Sequence, residues 1–267
     1  MASVETLGLL SLIGATGGFI AGLVGLAGGI IIVPALVAMY GPHSMEDAIV
    51  ISFFAVLLNS LSSSSANLLS KGAAAFWNLI TGAKWYTIGA IVASCFVAIL
   101  FGQYKGAIPT QLLATMQLIL AISILIPRTW YAGCRFDHSK WKDSTAGSIV
   151  GGISTLIGIG GGTYTIFYFM IHGREIKDCT LTANFVGIFI GLMSLIGYYG
   201  YVAAASAQNV ANSSGIIDGT GKAMLIISGV VAAPIGLKLQ EVAPAELINK
   251  LIVFILVASS SYVFFAA

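Results

Sequence analysis

Ten apolar segments follow one another along the chain, and they define the predicted elements. They cover residues 7–24, 30–40, 48–69, 80–101, 112–126, 146–157, 163–171, 181–202, 223–237 and 247–266. Within each segment the apolar residues form runs instead of alternating with polar ones, which favours helices. Several segments approach the ~20 residues that a helix needs to cross a bilayer, whereas 30–40 and 163–171 are too short. We therefore expect an all-α, polytopic membrane protein.

Each of the two short segments follows a run of glycines. GLVGLAGG at residues 22–29 precedes the first, and LIGIGGG at residues 156–162 precedes the second. Glycine adopts positive φ readily and lets another backbone or a ligand come close. Irregular backbone at membrane depth occurs only where protein buries it or where it lines a cavity. The glycine runs therefore predict two broken helical hairpins at a buried place.

The two halves of the chain match at more than the glycines. Gly25 recurs as Gly158 after 133 positions, and Lys84 recurs as Lys222 after 138 positions. Loop insertions account for so small a drift, and transporters commonly contain such internal duplications. The expected units are a first transmembrane repeat over 1–127, a cytoplasmic linker over 128–145 and a second transmembrane repeat over 146–267.

The basic residues predict how the repeats are oriented. If each glycine-broken pair is a hairpin that returns to its own side, ten of the 12 basic residues face the cytoplasm, and Lys105 and Lys222 face outward. If each pair instead crosses the membrane once, seven basic residues face the cytoplasm and five face outward. The positive-inside rule therefore favours the hairpins. Three further crossings then remain in each half. Because three is odd, the second repeat should be inverted relative to the first.

The glycine breaks also predict a binding site. A short helix that begins after a break presents unpaired N–H groups and the positive end of its dipole, which favour an anion. Polar side chains in the following long segments are costly against lipid and should face the interior. The candidate substrate-binding residues are Gly25, Gly28, Gly29, Ile30, Ser52, Asn59, Gly158, Gly161, Gly162, Thr163 and Asn184. Close helix packing and interhelical hydrogen bonding are the alternative roles of these residue types.

Composition agrees with a membrane protein, and the sequence motifs limit the functions that are expected. Hydrophobic residues make up 58% of the chain, charged residues 8%, and the mean hydropathy is +0.97. Because no Asp or Glu lies in the middle of an apolar segment, no intramembrane carboxylate relay is expected. The sequence has no P-loop, zinc motif or nucleophile elbow. We expect no enzyme activity, no cofactor, no metal site and no nucleic-acid partner; the expected partners are a small anion, the lipid bilayer and, as a candidate, a second copy in a homodimer.

Three stretches carry a family resemblance. GFIAGLVGLAGGIIIVPAL, GGISTLIGIGGGTYTIFYF and APIGLKLQEVAPAELINKLIVFILVASS resemble the TauE/SafE family of membrane permeases, the sulfite exporter family. The resemblance runs from about Gly17 to Tyr262 and implies a multi-pass carrier of the bacterial inner membrane. It further implies export of small sulfur-containing anions such as sulfite, sulfoacetate and related organosulfonates. The family often has a Thr-Ser pair after each hairpin, where this chain has Ile51-Ser52 and Ala183-Asn184.

Two function classes follow from these observations. The first is a secondary transporter that exports a small sulfur-containing anion by alternating access around the glycine breaks. The alternative is a passive anion channel that uses the same half-helix ends as a filter. Saturation and counterflow distinguish a carrier from a channel. A scaffold without transport is disfavoured, because the loops are too short to provide much docking surface.

Overall fold

The structure, a computed structural model, describes residues 4–25, 28–104, 110–125, 139–206, 217–242 and 244–266. These residues form helices and turns with no strand among them, which confirms the all-α prediction. The helices are α1 Val4–Val24, α2 Gly29–Tyr40, α3 Met45–Lys71, α4 Ala73–Thr81, α5 Lys84–Tyr104, α6 Thr110–Leu125, α7 Lys140–Ile157, α8 Gly162–Ile171, α9 Ile176–Ser206, α10 Gly219–Val242 and α11 Ala245–Ala266.

Five helices of the described ranges are long and apolar enough to cross a membrane. They are α1, α3, α5, α9 and α10, and the apolar helices α2 and α8 are shorter, as expected. The chain is therefore a multi-pass membrane protein. α6 and α11, which the sequence predicts as further crossings, are not among the five. Most of the predicted linker, residues 128–138, lies outside the described residues.

One helix differs from the sequence expectation. The predicted segment 80–101 is divided in the structure, because the turn at Gly82 separates α4 from α5. Within α4, Phe76 and Ile80 are buried, whereas Trp77 is 55% exposed. α4 is thus a short amphipathic helix, and the long helix begins at Lys84.

The first helix of the chain packs closely along α10. A Cβ added to Gly18 would lie 2.0 Å from the carbonyl oxygen of Gly229, and Gly14 and Gly22 meet the α10 backbone equally closely. Because successive turns of α1 meet successive turns of α10 in the same order, the two helices are parallel. Small residues four apart permit this backbone contact between membrane helices.

The first helix of the second half packs along α5 in the same way. A Cβ on Gly147 would lie 2.0 Å from the carbonyl oxygen of Tyr86, and one on Gly151 would lie 2.5 Å from that of Ala90. Gly147 and Gly151 stand 133 positions after Gly14 and Gly18 in the chain. Each half therefore contributes a small-residue helix that packs against a long helix of the other half.

The long helices α3 and α9 cross at the centre of the bundle. A Cβ on Gly191 would lie 2.9 Å from the backbone nitrogen of Leu57, and one on Gly187 would lie 2.7 Å from Ser60 Oγ. Since Leu57 precedes Ser60 but faces the later glycine, α3 and α9 run in opposite directions. α6 and α11 pack on each other, and Ser260 Oγ donates to the carbonyl oxygen of Ala114 at 2.7 Å.

These directions give the bundle two ends. We call the end at which α1, α3 and α10 begin the Lys222 end. The opposite end, at which α5, α7 and α9 begin, is called the Lys84 end. Lys140 at the start of α7 lies over the same Trp85 ring as Lys84, which places both helix starts together.

Candidate functional site

Glycine is required at both breaks by the backbone conformation. φ is +75° at Gly25, +79° at Gly28, +69° at Gly158 and +73° at Gly161, a region that L side chains rarely adopt. Gly28 and Gly161 are the N-caps of α2 and α8, and neither offers a side chain to cap the first N–H groups. Both short helices therefore begin at a break without a side-chain cap.

The two breaks lie against each other. A Cβ on Gly29 would lie 2.0 Å from the carbonyl oxygen of Gly158, a separation that only glycine permits. A Cβ on Gly25 would lie 3.2 Å from Ile166, and one on Gly158 would lie 3.1 Å from Val33. Each break thus contacts the short helix that follows the other break. The structure brings together the two sets of glycines that the sequence placed more than 100 residues apart.

Ser52 joins the two halves at this contact. Its side chain is fully buried, and its hydroxyl donates to the carbonyl oxygen of Gly158 at 2.6 Å. The Ile49 carbonyl oxygen, at 2.9 Å, is a second acceptor within reach. A hydroxyl has one hydrogen to donate, and here carbonyl oxygens accept it. Ser52 therefore holds the second break in place.

Asn59 lies between the first break and α10. Its side chain is fully buried, and neither amide atom has a hydrogen-bond partner in the part of the chain that the structure describes. Asn59 Nδ2 would lie 3.1 Å from a Cβ on Gly28, and Asn59 Oδ1 would lie 2.9 Å from one on Gly229. A buried amide that faces a helix N-terminus without a partner can donate to a bound ligand.

Asn184 occupies a matching place on α9. It shares a helix face with Thr180 and Gly187, since the three residues are spaced four and three apart. Thr180 contacts the first break at Gly25, while Gly187 faces the second break near the carbonyl oxygen of Gly160. Asn184 is fully buried between these contacts, and both of its amide atoms lack a partner among the described residues.

The unpaired buried polar groups form a set of neutral donors and acceptors. Together with Asn59 and Asn184, the set contains Ser60, Ser63, Ser64, Ser154 and Thr163. Thr163 is the second residue of α8, and Ile30, the second residue of α2, is fully buried beside the first break. Leaving one such group unsatisfied costs about 1–3 kcal/mol, so a set of this size indicates a place for a polar ligand or water. None of its members carries a charge.

A buried carboxylate lies at the Lys84 end, where the sequence predicts a peripheral one. Asp143, in the first turn of α7, is only 7% exposed and accepts a hydrogen bond from the Tyr168 hydroxyl at 2.5 Å. Tyr168 stacks on Tyr86, whose hydroxyl lies 3.0 Å from that of Thr165. Asp143 lies in the first turn of its helix and not in the middle, as the sequence predicts. Its buried carboxylate is hydrogen-bonded by Tyr168 of α8.

Arg174 completes the packing at this end. Its guanidinium donates to the carbonyl oxygens of Gly82 at 3.1 Å and Leu79 at 3.4 Å, and it lies 4.3 Å from the centre of the Phe169 ring. Desolvation by burial lowers the pKa of Arg174 from its ordinary value. Arg174 therefore connects the turn between α8 and α9 to the C-terminus of α4 and packs on Phe169 of α8.

Two half-helices that begin at adjoining breaks inside a bundle of membrane-crossing helices are typical of membrane transporters. The chain belongs to the TauE/SafE family: the family described as "Sulfite exporter TauE/SafE" matches residues 10–263. It is also similar to a "Probable membrane transporter protein" of Haemophilus influenzae (strain ATCC 51907 / DSM 11121 / KW20 / Rd), at 27% identity over 203 residues, which are 71% of this chain and 72% of that protein. No solved structure matches the chain. The family and the membrane transport class predicted from sequence are confirmed.

Proposed function

We propose that this transporter exports a small sulfur-containing anion, such as sulfite, sulfoacetate or a related organosulfonate, by alternating access. One observation above all supports the proposal: the two glycine breaks, at which α2 and α8 begin, lie against each other beside the buried, unpaired amides of Asn59 and Asn184. Each helix N-terminus acts as about half a positive charge. Two of them, with neutral donors around them, form a site for an oxyanion.

In this proposal the glycines give access and the amides give recognition. Gly28, Gly29, Gly161 and Gly162 allow oxyanion oxygens to approach backbone N–H groups, because no Cβ intervenes. The amides of Asn59 and Asn184 and the hydroxyl of Thr163 donate to the remaining oxygens. A site of neutral donors binds an anion strongly enough to desolvate it, yet it leaves no fixed cation to prevent release.

Alternating access is supported by the way the halves exchange partners. The contact of α1 with α10 has its counterpart in the contact of α7 with α5, and the matching helices α3 and α9 run in opposite directions. These features fit two inverted repeats that rock against each other around the breaks. A secondary transporter built in this way needs no catalytic residue and no cofactor, and the homodimer stays a prediction.

Counterflow in proteoliposomes tests the proposal. Purified protein would be reconstituted with an excess of unlabelled sulfite or sulfoacetate inside, and uptake of the radiolabelled anion would be followed. Vesicles without protein serve as the control. We expect saturable uptake that depends on internal substrate. Non-saturating flux with single-channel currents would instead identify the passive channel, and no flux of either anion through folded protein would reject the sulfur-anion assignment.

A further inference from the structure

A polar cavity lies at the Lys222 end, apart from the glycine breaks. It has a volume of about 120 Å³ and lies where the starts of α3 and α10 meet the last turns of α9. Asp47, Tyr198, Tyr199 and Lys222 supply its polar lining, and Ile51 is among its apolar residues. A cavity of this size is large enough for water or a small anion.

Among the described residues that line this cavity, Lys222 carries the positive charge. Its side chain is half-buried, and no ion pair or side-chain hydrogen bond holds it within the described part of the chain. Its counterpart in the other half, Lys84, instead lies over the Trp85 ring, with Nζ 5.7 Å from the ring centre. The two matched lysines thus have different surroundings at opposite ends of the bundle.

The wall of the cavity is held in place on the α9 side. The Tyr198 hydroxyl donates to Glu46 Oε1 at 2.9 Å, which ties α9 to the start of α3. The Tyr199 ring packs edge-on against Tyr198 and against Phe54 of α3. The hydroxyl of Tyr198 is therefore directed at Glu46, and Lys222 and Asp47 also line the cavity.

The cavity adjoins the glycine breaks through α3. Ile51 lines the cavity, and the next residue, Ser52, donates to the carbonyl oxygen of Gly158 at the second break. Asn59 follows seven residues later, about 10 Å further along the helix axis at 1.5 Å per residue. At the Lys84 end, by contrast, Tyr86 is fully buried and Arg174 is bonded to backbone carbonyls. The Lys222 end thus has a polar space beside the start of α3, whereas Tyr86 and Arg174, at the Lys84 end, are packed against described neighbours.

We propose that this cavity is an anion entry site at the outward end, which the transported anion enters during exchange and passes through on its way out during net export, with Lys222 as its attracting charge and Asp47 as a charge that limits its affinity. The inference rests on the proposed function and adds sidedness to it. Lys222 acts on anions that approach from its own end, because it lies in the first turn of α10 and most of that helix separates it from the other solution. Asp47 lines the same cavity and repels anions, so the balance between the two side chains sets the affinity of this end.

Sided transport kinetics test the inference. Both described termini lie at the Lys222 end, so a protease that removes an N-terminal tag from outside identifies vesicles with this end outward. The measured quantity is the concentration of radiolabelled sulfite that gives half-maximal uptake, taken from each end separately. Lys222→Gln should raise it several-fold from the Lys222 end, on the order of 3–10-fold for the loss of one charge near the surface. The effect should shrink at high ionic strength.

Three further variants make the result interpretable. Asp47→Asn should lower the half-maximal concentration from the Lys222 end, the opposite sign to Lys222→Gln. Lys222→Arg should keep it near the original value, which separates the charge from the packing of the side chain. Lys84→Gln is the matched control and should leave uptake from the Lys222 end unchanged.

The outcomes separate this inference from the proposed function. An unchanged half-maximal concentration in Lys222→Gln, or an equal change from both ends, would overturn the entry site while sulfite transport stands. If the unaltered protein moves no sulfite from either end, the proposed function fails, and the entry site fails with it.

Discussion

Ser52 and Gly158 are 106 residues apart in the chain, and a hydrogen bond of 2.6 Å from the Ser52 hydroxyl to the Gly158 carbonyl oxygen connects them. The bond runs from the long helix of the first half to the break of the second half. Because the acceptor is the residue with φ of +69°, the bond stabilises the irregular backbone itself. Movement of either half relative to the other must stretch or break this contact.

Ser52→Ala should weaken both stability and transport. The substitution leaves the Gly158 carbonyl oxygen buried without its donor, which costs about 1–3 kcal/mol. Thermal unfolding in detergent and sulfite counterflow measure the two effects. Ser65→Ala is the matched control, because the Ser65 hydroxyl is exposed and bonds only to Leu61 of its own helix. Equal unfolding temperatures for the two variants would contradict the role given to Ser52.

Gly18→Ala should destabilise the protein strongly. The added Cβ would lie 2.0 Å from the carbonyl oxygen of Gly229, so α1 and α10 must separate. Overpacking of this kind costs about 1–3 kcal/mol, and backbone on both sides leaves little room to relax. Gly8→Ala, on the same helix, introduces a Cβ with nothing within 4 Å and should be neutral or slightly stabilising. Equal unfolding temperatures for the two variants would contradict the close contact of α1 with α10 at Gly18.

Asn184→Leu should abolish sulfite counterflow without lowering stability. The amide is buried without a partner among the described residues, so an apolar side chain of similar size removes an unsatisfied polar group. Gln240→Leu is the contrasting variant, because its buried amide donates to Thr180 Oγ1 at 2.8 Å and its loss should destabilise. Thermal unfolding and counterflow are measured on both. Full counterflow in Asn184→Leu would remove Asn184 from the binding site.

Arg174→Lys should loosen α4 while leaving the rest of the bundle intact. The guanidinium reaches two carbonyl oxygens, at Leu79 and Gly82, and a lysine ammonium cannot reproduce that geometry. Amide hydrogen exchange in α4 should rise several-fold, with little change in α10. Lys177→Arg, an exposed neighbour, should leave the exchange of α4 unchanged. Unaltered exchange of α4 in Arg174→Lys would show that other contacts hold this helix.

The sequence predicted the helices and the glycine breaks better than it predicted which helices pack together. Runs of apolar residues identified the helices, and the glycines at 25–29 and 158–162 identified the breaks, because both signals are local. The division at Gly82 was missed, since residues 80–101 form one apolar run in which a turn is easily overlooked. The spacing of Gly14, Gly18 and Gly22, at every fourth position, is the local signal for the close packing of α1.

Several features of the candidate site depend on residues that are distant in the chain. Ser52 is predicted from sequence as a donor to the ligand. In the structure its hydroxyl instead donates to a carbonyl oxygen of the other half, that of Gly158. Asp143 is predicted to be peripheral, and the hydrogen bond that compensates part of its burial comes from Tyr168, 25 residues away in the chain. The roles of the eleven candidate substrate-binding residues remain predictions, because geometry alone does not identify a ligand.

The exchange of partners between the halves also constrains how the protein is made. α1 leaves the ribosome well before α10, yet its glycine face packs on α10, whose Gly229 lies 211 positions after Gly18. Until α10 is synthesised, that face has no native partner, and the first half cannot reach its final packing alone. Assembly must therefore finish late, after most of the chain is in the membrane, so a truncated chain that lacks α10 exposes a glycine-rich surface by which quality control could recognise it.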